Sequence, residues 1–79
     1  MRHARDDYNR IQDPAGLIPD DEPVFLLRGQ DKFAAQAVAN YADIVAANGG
    51  DPQIVAWARA WAQEMECWRP QKRPDMPAA

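Results

Sequence analysis

The sequence lacks several of the residue types on which catalytic sites depend. It contains neither serine nor threonine, and its only histidine is His3, close to the amino terminus. A Ser-His-Asp arrangement is therefore impossible. A phosphate-binding loop needs a lysine and a hydroxyl residue after its glycines, and Gly49-Gly50 is followed by neither. These absences argue against a small enzyme, and we expect no catalytic site.

Cysteine and long apolar runs are scarce as well. Cys67 is the only cysteine, so an internal disulfide and a zinc site built from cysteine alone are excluded. The longest run of large apolar side chains is Val24-Phe25-Leu26-Leu27, far short of the roughly 20 residues of a bilayer span. The first seven residues include two arginines and two aspartates, and no apolar stretch follows them, whereas a signal peptide has such a stretch. We expect a cytoplasmic protein without metal, cofactor or membrane segment.

The charge is negative and unevenly distributed. The chain has a net charge of −3, and residues 11–31 hold five carboxylates against the single cation Arg28. Nucleic-acid binding needs a basic face to neutralise phosphates, so we do not expect it here. An acidic surface favours a protein partner with a basic surface. Arg28 itself is expected to pair with Asp31 or Asp21 and so hold its segment against the first helix.

Two helices and the turn between them dominate the rest of the chain. Apolar residues at helical spacing predict helices at about 31–48 and 52–69. Glycine ends a helix and an Asp-Pro pair starts one, so Gly49-Gly50-Asp51-Pro52 predicts a tight antiparallel turn. We expect each helix to pack through one apolar stripe. The stripe of the first helix consists of Phe33, Ala34, Ala37, Val38, Tyr41, Ile44 and Val45, and beside it lies a flank of small side chains, Ala35, Ala39, Ala42 and Ala46, that lets another backbone come close. The stripe of the second helix consists of Ile54, Ala58, Trp61, Met65 and Trp68, widened by Val55, Trp57 and Ala62.

The segments that flank this hairpin are less regular. Prolines and glycine over residues 11–23 favour an extended arm, which we expect to pack on the helices through Ile11, Leu17 and Ile18. The apolar run at 24–27 is compatible with an extended segment or a short strand. We therefore predict a mainly α fold in a single small domain over 1–79, with residues 1–10 and 70–79 as loose tails.

The three tryptophans are the strongest candidates for binding. Trp61 lies in the middle of the apolar stripe, so we expect it in the core. Trp57 and Trp68 lie at the edge of the stripe, where they suit either the rim of the core or contact with a partner. The predicted partner-binding residues are therefore these two tryptophans and the acidic side chains Asp20, Asp21, Glu22, Asp31 and Asp43.

One sequence pattern goes beyond composition. Tyr8-Asn9-Arg10-Ile11-Gln12-Asp13-Pro14, followed by Asp21-Glu22-Pro23-Val24-Phe25-Leu26-Leu27-Arg28-Gly29-Gln30-Asp31, resembles short uncharacterised proteins of phages and other bacterial mobile elements. Small acidic proteins in that setting include anti-CRISPR proteins, which occupy surfaces of a CRISPR effector complex. The resemblance implies a non-enzymatic inhibitor in a bacterial host cell. The alternative is a homodimeric structural or regulatory phage protein.

Overall fold

The fold is a helical hairpin with short flanking segments. A computed structural model of the chain describes residues 2–3, 5 and 13–76. Strand β1 (Arg2–His3) pairs in parallel with strand β2 (Pro23–Val24), and helices α1 (Ala34–Ala47) and α2 (Pro52–Cys67) follow. The two helices pack against each other along their length. The predicted mainly α hairpin is confirmed.

The turn between the helices ends α1 in a Schellman motif. Gly49 adopts a φ of 70°, and its backbone N–H donates to the carbonyl oxygen of Ala46 (3.3 Å). The N–H of Gly50 donates to the carbonyl oxygen of Val45 (2.9 Å). A Cβ at residue 50 would overlap the Val45 side chain. The turn therefore needs the first glycine for its backbone conformation and the second for space.

Helix α2 is capped at both ends by side chains. The Asp51 carboxylate accepts a hydrogen bond from the N–H of Gln53 (2.8 Å), with Pro52 at the first helical position, as predicted. At the other end, Arg69 donates to the carbonyl oxygens of Glu66 and Trp68, and Gln71 donates to that of Met65. Carbonyl groups that would otherwise lack partners are thus satisfied.

Helix α1 begins at Ala34, three residues later than the predicted start. The Asp31 carboxylate accepts from the N–H of Phe33 (2.8 Å), which holds residues 31–33 in a turn instead of a helix. Lys72 is joined to this turn by two backbone hydrogen bonds. Its N–H donates to the carbonyl oxygen of Gln30 (2.7 Å), and its carbonyl oxygen accepts from the backbone N–H of Lys32 (2.9 Å). The segment after residue 70, which we expected to be loose, is therefore anchored at Lys72.

The core is built from small side chains, which corrects the large members of the predicted packing stripes. Ala34, Val55 and Ala62 of those stripes are buried as expected, and Ala35 and Ala42 of the predicted alanine flank join them. The buried residues are Ala34, Ala35, Ala42, Val55 and Ala62. Tyr41, Ile44 and Trp61 are instead 54, 62 and 66% exposed, so the expectation of a core tryptophan is wrong. Alanine allows two helix backbones to approach closely, and a large side chain placed between them would force them apart.

The amino-terminal arm packs only in part. The Asp13 carboxylate accepts from the N–H groups of Leu17 and Ile18, which closes a local turn. Leu17 is 81% exposed and Phe25 65%, whereas Leu26 and Leu27 are half-buried. Strand β2 is limited to residues 23 and 24, and the segment 25–28 has no regular structure. Ile11, the remaining predicted anchor, lies outside the described residues.

Among the described residues, no helix is long and apolar enough to cross a bilayer.

The conformation of Gly49 gives a first testable prediction. We expect Gly49→Ala to lower the free energy of unfolding by about 1–2 kcal/mol, because a Cβ is strained at positive φ. Gly49→Asn is the matched control and should cost less, since asparagine tolerates the left-handed region. Urea unfolding followed by circular dichroism measures both variants, and equal losses would contradict this account of the turn.

The alanine core gives a second prediction. We expect Ala42→Leu to destabilise the hairpin by about 1–3 kcal/mol, because Ala42 is 0% exposed and the added carbons have no space. Ala47→Leu adds the same carbons at an exposed position of α1 and should change stability by less than about 0.5 kcal/mol. Thermal unfolding of the two variants tests this, and a neutral Ala42→Leu would show that the helices are not closely packed.

Candidate protein-binding surface

The hairpin has one polar side. Asp43 of α1 and Arg59 of α2 face each other there, with Nη2 of the arginine 3.4 Å from Oδ1 of the aspartate. Both side chains are more than half exposed, so the pair contributes little to stability. A shallow depression on the same side is lined by residues of both helices, which are Ala35, Gln36, Ala39, Arg59, Ala62, Gln63 and Glu66.

The opposite side of the hairpin is apolar. Successive helical residues are rotated by about 100°, so Tyr41 and Asp43 point to opposite sides of α1 when Ala42 faces α2. The same rotation around Ala62 separates Trp61 from Gln63 on α2. The apolar side thus carries the large side chains that the alanine core excludes. It has two parts, one at the open end of the hairpin and one at the turn.

At the open end, the apolar side forms a groove that we call the tryptophan groove. It has a volume of about 350 Å³ and lies between the 27–30 segment and the last turns of α2; its lining is Leu27, Arg28, Gly29, Gln30, Trp61, Glu64, Met65 and Trp68. Trp61 and Trp68 are 66 and 58% exposed. A Cβ at Gly29 would lie 3.2 Å from Cβ of Trp68, so the absent side chain lets the two segments approach.

Near the turn, the apolar side is uncovered. We call this part the bare face and define it by the exposed side chains of Tyr41, Ile44 and Trp57, with half-buried Val45 and Ile54 between them. Trp57 and Trp68 are separated by 11 residues, or about 16 Å along α2. Both tryptophans that we predicted to bind a partner are exposed. Trp57 belongs to the bare face, and Trp68 belongs to the tryptophan groove.

The predicted acidic contacts do not share one environment. Asp20, Asp21 and Glu22 lie in an exposed turn, which is closed by a hydrogen bond from the N–H of Glu22 to the carbonyl oxygen of Pro19 (3.1 Å). Asp43 lies on the polar side beside Arg59. Asp31 is half-buried, and its carboxylate accepts the Phe33 N–H. The exposed acidic turn is the part of this set that presents several carboxylates together.

Arg28 departs from its predicted role. Within residues 13–76, it forms no ion pair with Asp31 or Asp21. Its carbonyl oxygen accepts from the N–H of Asp31 (3.0 Å), while its side chain is exposed between the tryptophan groove and a second cavity. Among the contacts of the described residues, this backbone turn and the Lys72 bridge hold the 28–31 segment.

The second cavity has mixed charge. It has a volume of about 290 Å³ and is lined by Arg5, Arg28 and Lys72, by Asp31 and Asp75, and by apolar side chains of the 25–27 segment. Lys72 is already paired with Asp75 at 2.9 Å. In the described part of the chain, no group of three or more histidine, cysteine or carboxylate side chains could hold a metal ion. Cys67 is exposed and lies 3.7 Å from the side-chain nitrogen of Gln63.

The contact between Gly29 and Trp68 gives a third prediction. We expect Gly29→Ala to disturb the groove, because the new Cβ would press on the Trp68 side chain at 3.2–3.3 Å. In a Trp68→Ala background, the contacts with Cγ and Cδ1 disappear while the contact with Cβ at 3.2 Å remains, so the same substitution should cost less without becoming neutral. A double-mutant cycle by urea unfolding should therefore show a coupling of about 0.5–1 kcal/mol, and additive losses would mean that the two residues do not pack together.

Comparison with protein-family models, with curated proteins and with solved structures finds no match to this chain.

Proposed function

We propose that this chain is a non-enzymatic inhibitor that binds a protein partner and blocks it by occupying its surface. The observation that carries the proposal is the open tryptophan groove, with Trp61 and Trp68 each more than half exposed. Folded proteins seldom leave large aromatic side chains together at the surface unless these side chains bind something.

The groove supplies the apolar anchor of this interaction. Tryptophan is enriched among the residues that dominate binding energy at protein interfaces, because it buries a large area with little loss of conformational freedom. Met65 in the lining of the groove adds a polarisable side chain that adapts to different partner shapes. A groove of about 350 Å³ has room for a single apolar side chain of the partner.

The acidic turn supplies the electrostatic part. Leu27 in the groove wall lies five positions after Glu22, so the Cα atoms of these two residues are at most about 18 Å apart. One partner surface of standard size covers both. Exposed carboxylates attract a basic surface and accelerate association, although each contributes little to the final affinity. The expected partner therefore combines a basic patch with an apolar protrusion.

The most specific form of this proposal is that the partner is a CRISPR effector complex. Such complexes hold nucleic acid in positively charged channels, which exposed carboxylates would also contact. Support comes from the negative charge of the chain and from its resemblance to short mobile-element proteins. Steric occupation of such a channel needs no catalysis.

A binding experiment on purified effector complexes tests this proposal. We expect Asp20→Lys, Asp21→Lys and Glu22→Lys combined to weaken binding at least tenfold and to reduce its dependence on salt, because attraction becomes repulsion. Trp68→Ala should weaken binding about tenfold or more by removing the anchor. Biolayer interferometry with immobilised complex measures both.

Two controls accompany that experiment. Glu66→Lys reverses an exposed charge on the polar side and should leave affinity within about threefold of the unchanged chain. Asp20→Asn, Asp21→Asn and Glu22→Gln combined keep the hydrogen-bonding atoms and should give an intermediate loss. Absence of binding to every complex tested, or affinity unaffected by both the lysine and the Trp68 variants, would reject the proposed inhibitor.

A further inference from the structure

We propose that the second cavity binds a small organic acid, which has one carboxylate and is otherwise apolar. The inference goes beyond the proposed function, because this ligand is a small molecule and not the surface of a protein partner. It rests on the cations that line the cavity, on a carboxylate that the chain itself places beside one of them, and on the apolar part of the lining.

The cavity concentrates positive charge in an acidic chain. Its lining has three cations, Arg5, Arg28 and Lys72, against the carboxylates of Asp31 and Asp75, whereas the whole chain has a net charge of −3. Within the described residues, Arg28 forms no ion pair. A guanidinium binds a carboxylate through two parallel N–H donors. One carboxylate from a ligand would therefore balance the charge of the lining and provide Arg28 with a partner.

The chain itself shows that a carboxylate fits beside one of these cations. Oδ1 of Asp75 lies 2.9 Å from Nζ of Lys72, and both residues line the cavity. Both side chains are more than half exposed, so the pair is weak and an external carboxylate can replace Asp75. The position of Lys72 does not depend on this pair, because its backbone is hydrogen-bonded to Gln30 and Lys32.

The apolar part of the lining and the size of the cavity define the rest of the ligand. Phe25, Leu26, Leu27 and Pro74 contribute apolar side chains, and Phe25 is 65% exposed, so a bound apolar group would remove part of its ring from water. The cavity is more enclosed than the tryptophan groove. Its volume of about 290 Å³ lies at the lower end of the range for ligand pockets, about 300–1,000 Å³. A compact acid such as hydrocinnamate, a phenyl ring joined to a carboxylate by two methylene groups, has both features.

A titration of the full chain with hydrocinnamate, followed by two-dimensional nitrogen–proton NMR spectroscopy at pH 7, tests the inference. We expect the backbone amide signals of residues 25–31 and of Lys72 to shift until they saturate. The expected dissociation constant for a ligand of this size is about 0.1–5 mM. The neutral amide of hydrocinnamate has the same shape without the charge, and acetate and inorganic phosphate have charge without the apolar group. Each of these probes should bind at least about fivefold more weakly than hydrocinnamate.

Three variants locate the ligand within the chain. Arg28→Gln should weaken the binding of hydrocinnamate about fivefold or more, because it removes the guanidinium. Arg73→Gln is the matched control and should change affinity by less than about twofold, because Arg73 is an exposed cation next to Lys72 but does not line the cavity. Asp75→Asn removes the carboxylate that competes for Lys72 and should tighten binding about twofold or more.

Several outcomes would overturn the inference. They are an absence of saturable shifts at about 20 mM hydrocinnamate, equal affinity for the acid and its amide, tighter binding of phosphate than of hydrocinnamate, equal losses in Arg28→Gln and Arg73→Gln, and weaker binding by Asp75→Asn. The comparison of probes uses the unchanged chain, so it remains decisive if a variant fails to fold. The titration contains no effector complex, so its failure would leave the proposed inhibitor in place.

Discussion

The close approach of two helices through alanine is the constraint on which the rest of this structure depends. Ala42 and Ala62 are buried between α1 and α2, and no larger side chain fits between backbones held that near. The tight turn enforces this spacing, because Gly49 and Gly50 reverse the chain within a few residues. Large apolar side chains must then point away from the helix contact. The exposed surface follows directly from how the core is packed.

This arrangement separates the side chains that pack between the helices from the large side chains, which are exposed. The side chains that hold the hairpin together are small, whereas those with the greatest capacity to bury area, such as Trp57 and Trp61, face outward. In most domains the same residues would serve the core, and an exposed tryptophan would be an exception. The exposed aromatic side chains therefore lie along one side of the hairpin, from Trp57 near the turn to Trp68 at the open end.

The flanking segments shape the groove more than their sequence suggests. Gly29 lies against Trp68 because it has no side chain, and Lys72 ties the carboxyl-terminal segment to the turn before α1 through backbone hydrogen bonds. The amino-acid composition does not predict backbone pairing of this kind, because every residue except proline has both a backbone N–H donor and a carbonyl acceptor. The expected ion pair of Arg28 with Asp31 or Asp21 is not formed within the described residues, where main-chain hydrogen bonds position the segment and the Arg28 side chain is exposed.

Local signals in the sequence were sufficient for the helices, the Schellman turn and the Asp51 cap, because each depends on residues within a few positions of one another. The side of each helix that faces its neighbour was not determined locally. Tyr41 and Ile44 follow helical spacing, but so do Ala35 and Ala42, and periodicity alone does not decide between a bulky stripe and a small one. Only the distance between the helices selected the alanines, and that distance is a property of the folded pair. The exposure of Trp61 was therefore decided by tertiary structure, although its place on the helix was already evident from the sequence.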